Sequence, residues 1–402
     1  MSLVPVEEAQ ARLLEGARPV AKREEIGLAD LADRIAAVDL VARRTQPDFD
    51  ASAMDGYAVR AADLGATPCD LVVVGESAAG GAYGRTVAAG EAVRIFTGAP
   101  VPQGADAVVI QENTERPSPE AVRILQPVDP GGHIRRAGND FRTGAMLVPA
   151  GSRFRPASIA LAASGGYPTV EVLRRPRVAI AATGDELVLP GQPVGPSQIV
   201  ASNGYGIAAL ARAAGAEILD YGIVRDDEAA IGACLDRAAG EADVLVTIGG
   251  ASVGDHDLIG PVLKAKGATL DFWKIAMRPG KPMMAGRLGF LRILGLPGNP
   301  ASSLVSSELF VVPLVERLAG RPDRDRWVRG RLGVDLPAND HRAEFMRATL
   351  DQSESDGAMI TPLGRQDSSL LSIFAEATAL LYRPAGAPAA RQGDECRFIP
   401  LG

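Results

Sequence analysis

The sequence predicts a multi-domain α/β plus β protein: a central three-layer α/β domain with a helical linker domain, an inserted small β domain and a C-terminal β-barrel-like domain. Three observations predict it. Short apolar runs alternate with amphipathic stretches between residues 177 and 318, the pattern of βαβ units on a mostly parallel, Rossmann-like sheet. Residues 47–139 and the region beyond Trp327 break instead into short β-branched runs cut by Gly and Pro. Helical spacing lies on both sides of the first β region, so that region reads as an insertion into a helical domain built from two stretches.

Taken in order, residues 6–15 and 28–41 are expected to be helical, the latter because Leu28, Leu31, Ile35, Val38 and Leu40 recur near the helical period. Asp70-Leu-Val-Val-Val74, Ala92-Val-Arg-Ile95 and Ala107-Val-Val-Ile110 are strands of the inserted domain, and helical spacing returns at 153–163. Within the α/β region, Arg177-Val-Ala-Ile-Ala-Ala182 is a strand, 203–214 a helix, 217–224 a strand, 227–239 a helix and 243–248 a strand. Strands near 269–275 and 291–294 and a helix over 301–318 complete it. Arg321-Pro-Asp-Arg-Asp-Arg326 reads as a charged linker. The domain boundaries that follow are 1–47 plus 139–175, 48–138, 176–322 and 323–402.

Composition narrows the function. Among 402 residues, 45 Gly and 29 Pro ask for many turns, yet fall below the share that marks low complexity. Aromatics are 4% and the net charge is −7, which argues against a nucleic-acid partner. Cys69, Cys234 and Cys396 are scattered, as are His133, His256 and His341, so neither a zinc knuckle, a disulfide framework nor a Ser-His-Asp triad is indicated. No apolar run is long enough to cross a membrane and no signal peptide opens the chain; a cytoplasmic location is expected. Carboxylates, lysines and backbone amides must therefore carry any chemistry.

Ligands of open parallel sheets bind beyond the carboxyl ends of the strands, and the unusual loops are expected there. Thr183-Gly-Asp-Glu-Leu187 sets two carboxylates after a Gly turn. Gly249-Gly-Ala-Ser-Val-Gly-Asp-His-Asp257 has P-loop-like glycine spacing but no Lys, so its amides and Ser252 suit an anion while Asp255 and Asp257 suit a hard cation such as magnesium. Lys274-Ile-Ala-Met-Arg-Pro-Gly-Lys281 places three cations around a Pro-Gly turn, and Gly295-Leu-Pro-Gly-Asn-Pro300 leads into a helix start. Singly, each loop has a plain structural explanation as a turn or a capped helix. On successive strand ends of one sheet they favour a phosphate-bearing ligand. In the inserted domain, Phe49-Asp-Ala-Ser-Ala-Met-Asp-Gly-Tyr57 carries Asp50 and Asp55, Ile95-Phe-Thr-Gly-Ala-Pro-Val-Pro102 carries Thr97, and Gly138-Asn-Asp-Phe-Arg-Thr-Gly144 carries Asp140. Asx turns that cap strand ends account for such shapes as readily as a site does.

Ser52-Ala-Met-Asp-Gly-Tyr-Ala58, Ile95-Phe-Thr-Gly-Ala99, Ala137-Gly-Asn-Asp140, Thr183-Gly-Asp-Glu186, Gly249-Gly-Ala-Ser-Val-Gly254, Pro279-Gly-Lys-Pro282 and Leu296-Pro-Gly-Asn-Pro300 occur in the order of one family. The chain resembles the MoeA family of molybdopterin molybdenumtransferases, which includes the C-terminal domain of gephyrin. The resemblance implies that the α/β domain binds molybdopterin and that molybdate is inserted into adenylyl-molybdopterin with release of AMP. It implies magnesium, or zinc, as cofactor and a homodimer in which Asp55, Thr97 and Asp140 face Glu186, Asp226 and Asp257 across a cleft between subunits. By the same resemblance Glu186, Asp226 and Asp257 are metal or adenylate ligands, and Lys274, Arg278 and Lys281 hold phosphate or molybdate. The substrate would lie on Thr183, Gly184 and Asp185, on Ser202 and Asn203, on Gly249, Gly250, Ser252 and Gly254, and on Pro297, Gly298, Asn299, Pro300 and Ser302. An adenylyltransferase and molybdoenzymes are the implied protein partners.

The sequence departs from the family pattern at Ile248 and Ala251, where Ser and Val are usual, and at Gly364-Arg-Gln-Asp-Ser-Ser369, where a Gly-Gln-Gly-Ser turn is usual. Two other readings stand beside the insertase: a noncatalytic, gephyrin-like scaffold, and a molybdopterin adenylyltransferase or nucleotide pyrophosphatase on the same α/β domain.

Overall fold

The structure is a computed structural model that describes residues 3–250, 258–351 and 357–401. The chain divides into two compact units, residues 25–171 and a second unit made of residues 1–24 with 172–402. Helix α1 (Val6–Leu14) belongs to the second unit. Its Val6, Ala9 and Leu13 share one stripe and enter the same core as the central sheet.

In the 25–171 unit, strands β1 (Gly56–Val59), β2 (Cys69–Ser77), β3 (Glu91–Ile95), β4 (Ala107–Ile110), β5 (Thr114–Ser118) and β6 (Ala121–Ile124) form one sheet in the order β4-β1-β3-β2-β6-β5. Only β2 and β3 run parallel. Alternation sends Tyr57 and Val59 to a core with Val109 and Ile124, and Ala58 to a second core with Val93, Ile95 and Val108. Helix α2 (Pro156–Ser164) starts on a proline, whose missing N–H costs nothing there.

The helix expected over 28–41 is not formed. Leu28–Asp30 makes one 3₁₀ turn, Asp33 takes a positive φ of 64°, and Leu40–Val41 is a short strand. The amides of Asp33 and Ala36 donate to the carbonyls of Phe154 and Ser152, partners about 120 positions away in sequence that local spacing does not reveal.

The central sheet contains β7 (Arg177–Thr183), β8 (Glu217–Val224) and β9 (Val244–Ile248), joined through helices α3 (Asn203–Ala213) and α4 (Glu228–Glu241). Helix α5 (Ile259–Ala265) leads to β10 (Thr269–Trp273), and the hairpin β11 (Met284–Leu288) and β12 (Leu291–Leu296) completes a sheet of order β8-β7-β9-β12-β11-β10. The first four strands are parallel, while β11 is antiparallel to both its neighbours. Three layers follow from the pleat. Val178, Ile180, Val244 and Val246 face α1 and α3, whereas Ala179, Ala181 and Leu245 face α4 and α5.

The helix expected over 301–318 is two helices, α6 (Pro300–Ser306) and α7 (Val312–Leu318), joined by a π turn at Ser307–Val311. Pro313 near the start of α7 lacks the donor an uninterrupted helix needs. The charged linker is pinned back on this helix pair: Arg324 pairs with Glu316 at 2.8 Å, and Arg326 with the buried Glu308.

Strands β13 (Val328–Leu332), β14 (Ala343–Asp351), β15 (Met359–Pro362), β16 (Ala379–Arg383) and β17 (Glu395–Pro400) close on themselves in the order β14-β15-β13-β17-β16-β14. That is the expected C-terminal barrel. Among the described residues no helix is long and apolar enough to cross a membrane.

Candidate functional site

Because β10 and β12 both pair antiparallel with β11, both point the same way as β7, β8 and β9. The loops after all five strands therefore emerge on one edge of the sheet, where helix starts and turn amides collect. A cavity of about 730 Å³ opens there.

Its polar rim gathers Thr183, Glu186, Ser202, Asn203, Gly249, Gly250, Lys281, Pro297, Gly298, Asn299 and Pro300, all anticipated from the sequence. Glycine is required at the turn after β9. Gly249 and Gly250 have φ of +88° and +60°, and a Cβ on Gly249 would lie 2.6 Å from the Thr183 carbonyl oxygen. The loop before α6 is locked from two sides. Asn203 Nδ2 donates to the Gly298 carbonyl at 2.7 Å, and the Ser303 hydroxyl donates to the Pro297 carbonyl. Ser302, expected to contact the substrate, is buried in α6 and does not line the cavity.

Several anticipated residues stand elsewhere. Gly184 and Asp185 do not line the cavity; a Cβ on Gly184 would meet the Glu186 carboxylate at 2.5 Å, so Glu186 folds back over that turn. Arg278 is held by Glu344 of the barrel, at 2.8 Å, and that hydrogen-bonded carboxylate pushes its pKa up. Lys274 has a φ of +75° and bonds through its backbone to Met283 and Val4. Neither cation borders the cavity. Asp226 follows β8 and also lies off the cavity wall, while its neighbour Asp227 caps α4 by accepting the Ala230 N–H at 2.8 Å. Asp227→Ala is expected to lower unfolding free energy by about 1 kcal/mol in urea titration and leave ligand binding unchanged. Ser252, Gly254, Asp255 and Asp257 lie outside the described residues.

The cavity also has walls that the motifs do not mark. Leu187–Val188 pairs with Ile199–Val200 in a short parallel ribbon that presents Leu189, Ile199 and Val200 as apolar surface, and the exposed Tyr205 projects from the first turn of α3. Ser369 reaches the rim from the barrel. Its loop is held by the fully buried Arg347, which donates through Nη2 to the Asp367 carbonyl at 2.9 Å, and by Gln366, whose amide donates to the Arg347 and Leu363 carbonyls. Asn299 Nδ2 donates to Ser368 Oγ at 3.0 Å, which ties this loop to the start of α6. The unusual Gly364–Ser369 segment is therefore fixed in place, and its Ser369 borders the cavity. The signal in the sequence was Tyr205, an aromatic beside two glycines at a helix start; Ser369 had none.

The 25–171 unit brings its own anticipated residues together. Because β1 and β3 pair antiparallel with Gly56 opposite Ile95, the loop before β1 meets the loop after β3. Asp55 Oδ1 accepts from Thr97 N at 2.7 Å and Thr97 Oγ1 at 2.8 Å. These two bonds, helped by the nearby Arg94 charge, hold the Asp55 carboxyl below its usual range. Asp50 accepts from Ala137 N and Arg136, and the Asp140 amide donates to the Gln46 carbonyl, so the segment carrying Asp140 is fastened to the same loop cluster.

These features define a class: a three-layer α/β domain with an apolar-walled cavity, rimmed by glycine and proline turns, at its strand ends, carried with a β insertion and a C-terminal barrel. Three family models match successive stretches of the chain. The MoeA N-terminal region (domain I and II) matches residues 4–166, a domain described as "Probable molybdopterin binding domain" matches 179–317, and the MoeA C-terminal region (domain IV) matches 329–401. A molybdopterin molybdenumtransferase from Nostoc sp. is 37% identical over 364 residues, covering 88% of this chain and 83% of the relative. Molybdopterin molybdenumtransferase 2 from Mycobacterium tuberculosis is 39% identical, covering 93% of each chain. The crystal structure of the molybdopterin biosynthesis MoeA protein from Pyrococcus horikoshii superposes with a TM-score of 0.84 at 32% identity, over 100% of both chains. The chain belongs to the MoeA family of molybdopterin molybdenumtransferases.

Proposed function

We propose that this chain is the transferase that inserts molybdate into adenylylated molybdopterin, releasing AMP and the molybdenum cofactor. The observation that carries this reading is the cavity itself. It is large enough for an extended nucleotide conjugate, and its apolar walls face a rim of turn amides, Asn203, Asn299 and Lys281. Breaking a phosphoanhydride needs positioning and charge neutralisation more than a side-chain nucleophile. Lys281 and the turn amides of Gly250, Gly298 and Asn299 at the rim supply both, and molybdate, a tetrahedral dianion, is gripped by the same donors as phosphate.

Magnesium or zinc would need Glu186, Asp226 and Asp257 together. Among the described residues no group of three or more His, Cys, Asp or Glu side chains is gathered to hold a metal ion. Glu186 borders the cavity, Asp226 does not line it and Asp257 lies outside the described residues, so the reaction is described without a step through a cation.

The same reading takes the working form as a cytoplasmic homodimer, with Asp55, Thr97 and Asp140 contributing to the reaction. Sedimentation equilibrium at twice the chain mass supports the dimer and a single-chain mass removes it. The activity is tested by incubating the purified chain with adenylyl-molybdopterin and molybdate and adding the product to a cofactor-free molybdoenzyme. Reconstituted activity supports the insertase. Tight binding of the adenylate without any product would instead make the chain a scaffold.

A further inference from the structure

Arg94 lies outside every motif-based assignment, yet it occupies the junction of three strands in the 25–171 unit. It stands on β3 directly opposite Tyr57 of β1. Its guanidinium carbon sits 5.1 Å from the centroid of the Tyr57 ring and 5.0 Å from that of Phe96, so the planar cation is held between two aromatic faces. Nη1 donates to the Gly56 carbonyl at 3.3 Å, and Nη2 donates to Gln111 Oε1 at 2.8 Å. Gln111 follows β4, and its own amide donates to the Asp55 carbonyl at 3.0 Å. Arg94 therefore bonds the residue after Asp55 directly and reaches the Asp55 backbone through Gln111, while Thr97, three positions beyond it, holds the Asp55 carboxylate.

The geometry points to Arg94 as the positioning residue of the Asp55–Thr97 pair: it fixes the Asp55 backbone from both sides, so that the carboxylate stays aimed at Thr97, and places a positive charge nearby. This inference rests on the proposed insertase reading, in which Asp55 takes part. A half-buried guanidinium with two hydrogen bonds and two ring faces keeps little freedom, so its charge stays at a fixed place beside the carboxylate. From β3 and its exit Asp55 is faced by Arg94 and Thr97, and from the exit of β4 by Gln111; Arg94 is the charged group among them. The two Thr97 hydrogen bonds are the main reason Asp55 sits below its usual carboxylate range and the Arg94 charge adds to them, so removing that cation raises the pKa part of the way back, and activity that needs the ionised form then fails at higher pH as the solution is acidified.

The test compares Arg94→Met, Arg94→Lys, Gln111→Ala and Asp55→Asn by AMP release in the presence of molybdate, with pH profiles of kcat/KM. Asp55→Asn is expected to lose turnover. Arg94→Met is expected to keep KM, to lose about tenfold in kcat, and to move the acidic limb to higher pH; tenfold corresponds to about 1.4 kcal/mol. Arg94→Lys restores the position of the limb but only part of kcat, because an ammonium cannot serve Gly56 and Gln111 together. Gln111→Ala lowers kcat with the limb unmoved. An unmoved limb in Arg94→Met, in a variant that folds while Asp55→Asn is inactive, overturns the inference and leaves the insertase reading intact. Full turnover by Asp55→Asn removes this loop from the reaction, and the role of Arg94 with it. A wild-type chain that releases no AMP overturns the functional reading itself.

Discussion

Lys281→Ala lowers molybdate-dependent AMP release about a hundredfold while the protein stays as stable as the parent. The side chain is exposed and stands on the loop between β10 and β11 at the cavity rim, so its loss leaves no void in the core. What it removes is a cation beside the turn amides, and deleting one donor from such a charge-stabilising set typically costs about 10²–10³ in kcat. Lys281→Arg keeps the charge and recovers part of the rate. Arg278→Ala is the informative contrast, since that side chain is spent on Glu344 and Asp340 of the barrel. Its effect belongs in thermal stability rather than in turnover. Equal rate losses in Lys281→Ala and Arg278→Ala would contradict the assignment of Lys281 to the cavity.

The second large effect is Gly249→Ala. A methyl group there meets the Thr183 carbonyl oxygen at 2.6 Å and forces a left-handed backbone on an L side chain. The combined strain is about 2–4 kcal/mol, and relieving it moves the Gly249–Gly250 turn out of the cavity rim. Ligand binding and stability are expected to fall together. Gly240→Ala is the control: it lies in α4, nothing would touch its Cβ, and the change is expected to stabilise the chain by about 0.5–1 kcal/mol. Urea titrations of both variants check the pair. A Gly249→Ala variant as stable as the parent, beside a stabilised Gly240→Ala, would contradict the strain and the contact with Thr183 at position 249.

What was legible in the sequence is what local rules determine. The alternation from β7 through α3, β8, α4 and β9 announces itself because buried strands and amphipathic helices have different periods. The Gly249-Gly250 turn and the Pro297-Gly-Asn-Pro300 helix start were readable because backbone demands of that kind single out Gly and Pro. Strand β11, Met284-Ala-Gly-Arg-Leu288, was not, since its burial comes from β10 and β12 on either side and not from any alternation of its own. The 28–41 stretch misled for the opposite reason: its helical spacing is real, but its amides pair with residues 152–154.

The site divides in the same way. Asp55 and Thr97 were marked by their motifs, whereas Arg94, which ties their strands to Gln111, carries no motif and shows its place only when β1, β3 and β4 are adjacent. Arg278 looked like a third cation of the anion grip. The carboxylate that claims it is Glu344, 66 positions later on the barrel, and no local pattern connects the two. Ser369 borders the cavity because Arg347 and Gln366 fold their loop toward α6, again a long-range arrangement.

The most direct measurement of the central claim is AMP released from adenylyl-molybdopterin by the purified chain, followed with and without molybdate. The account predicts one AMP released per molybdenum atom retained in the product, and only a trace of AMP when molybdate is left out. Equal AMP release in both samples would make the chain a hydrolase of the adenylate and contradict the assignment as the molybdate-inserting transferase.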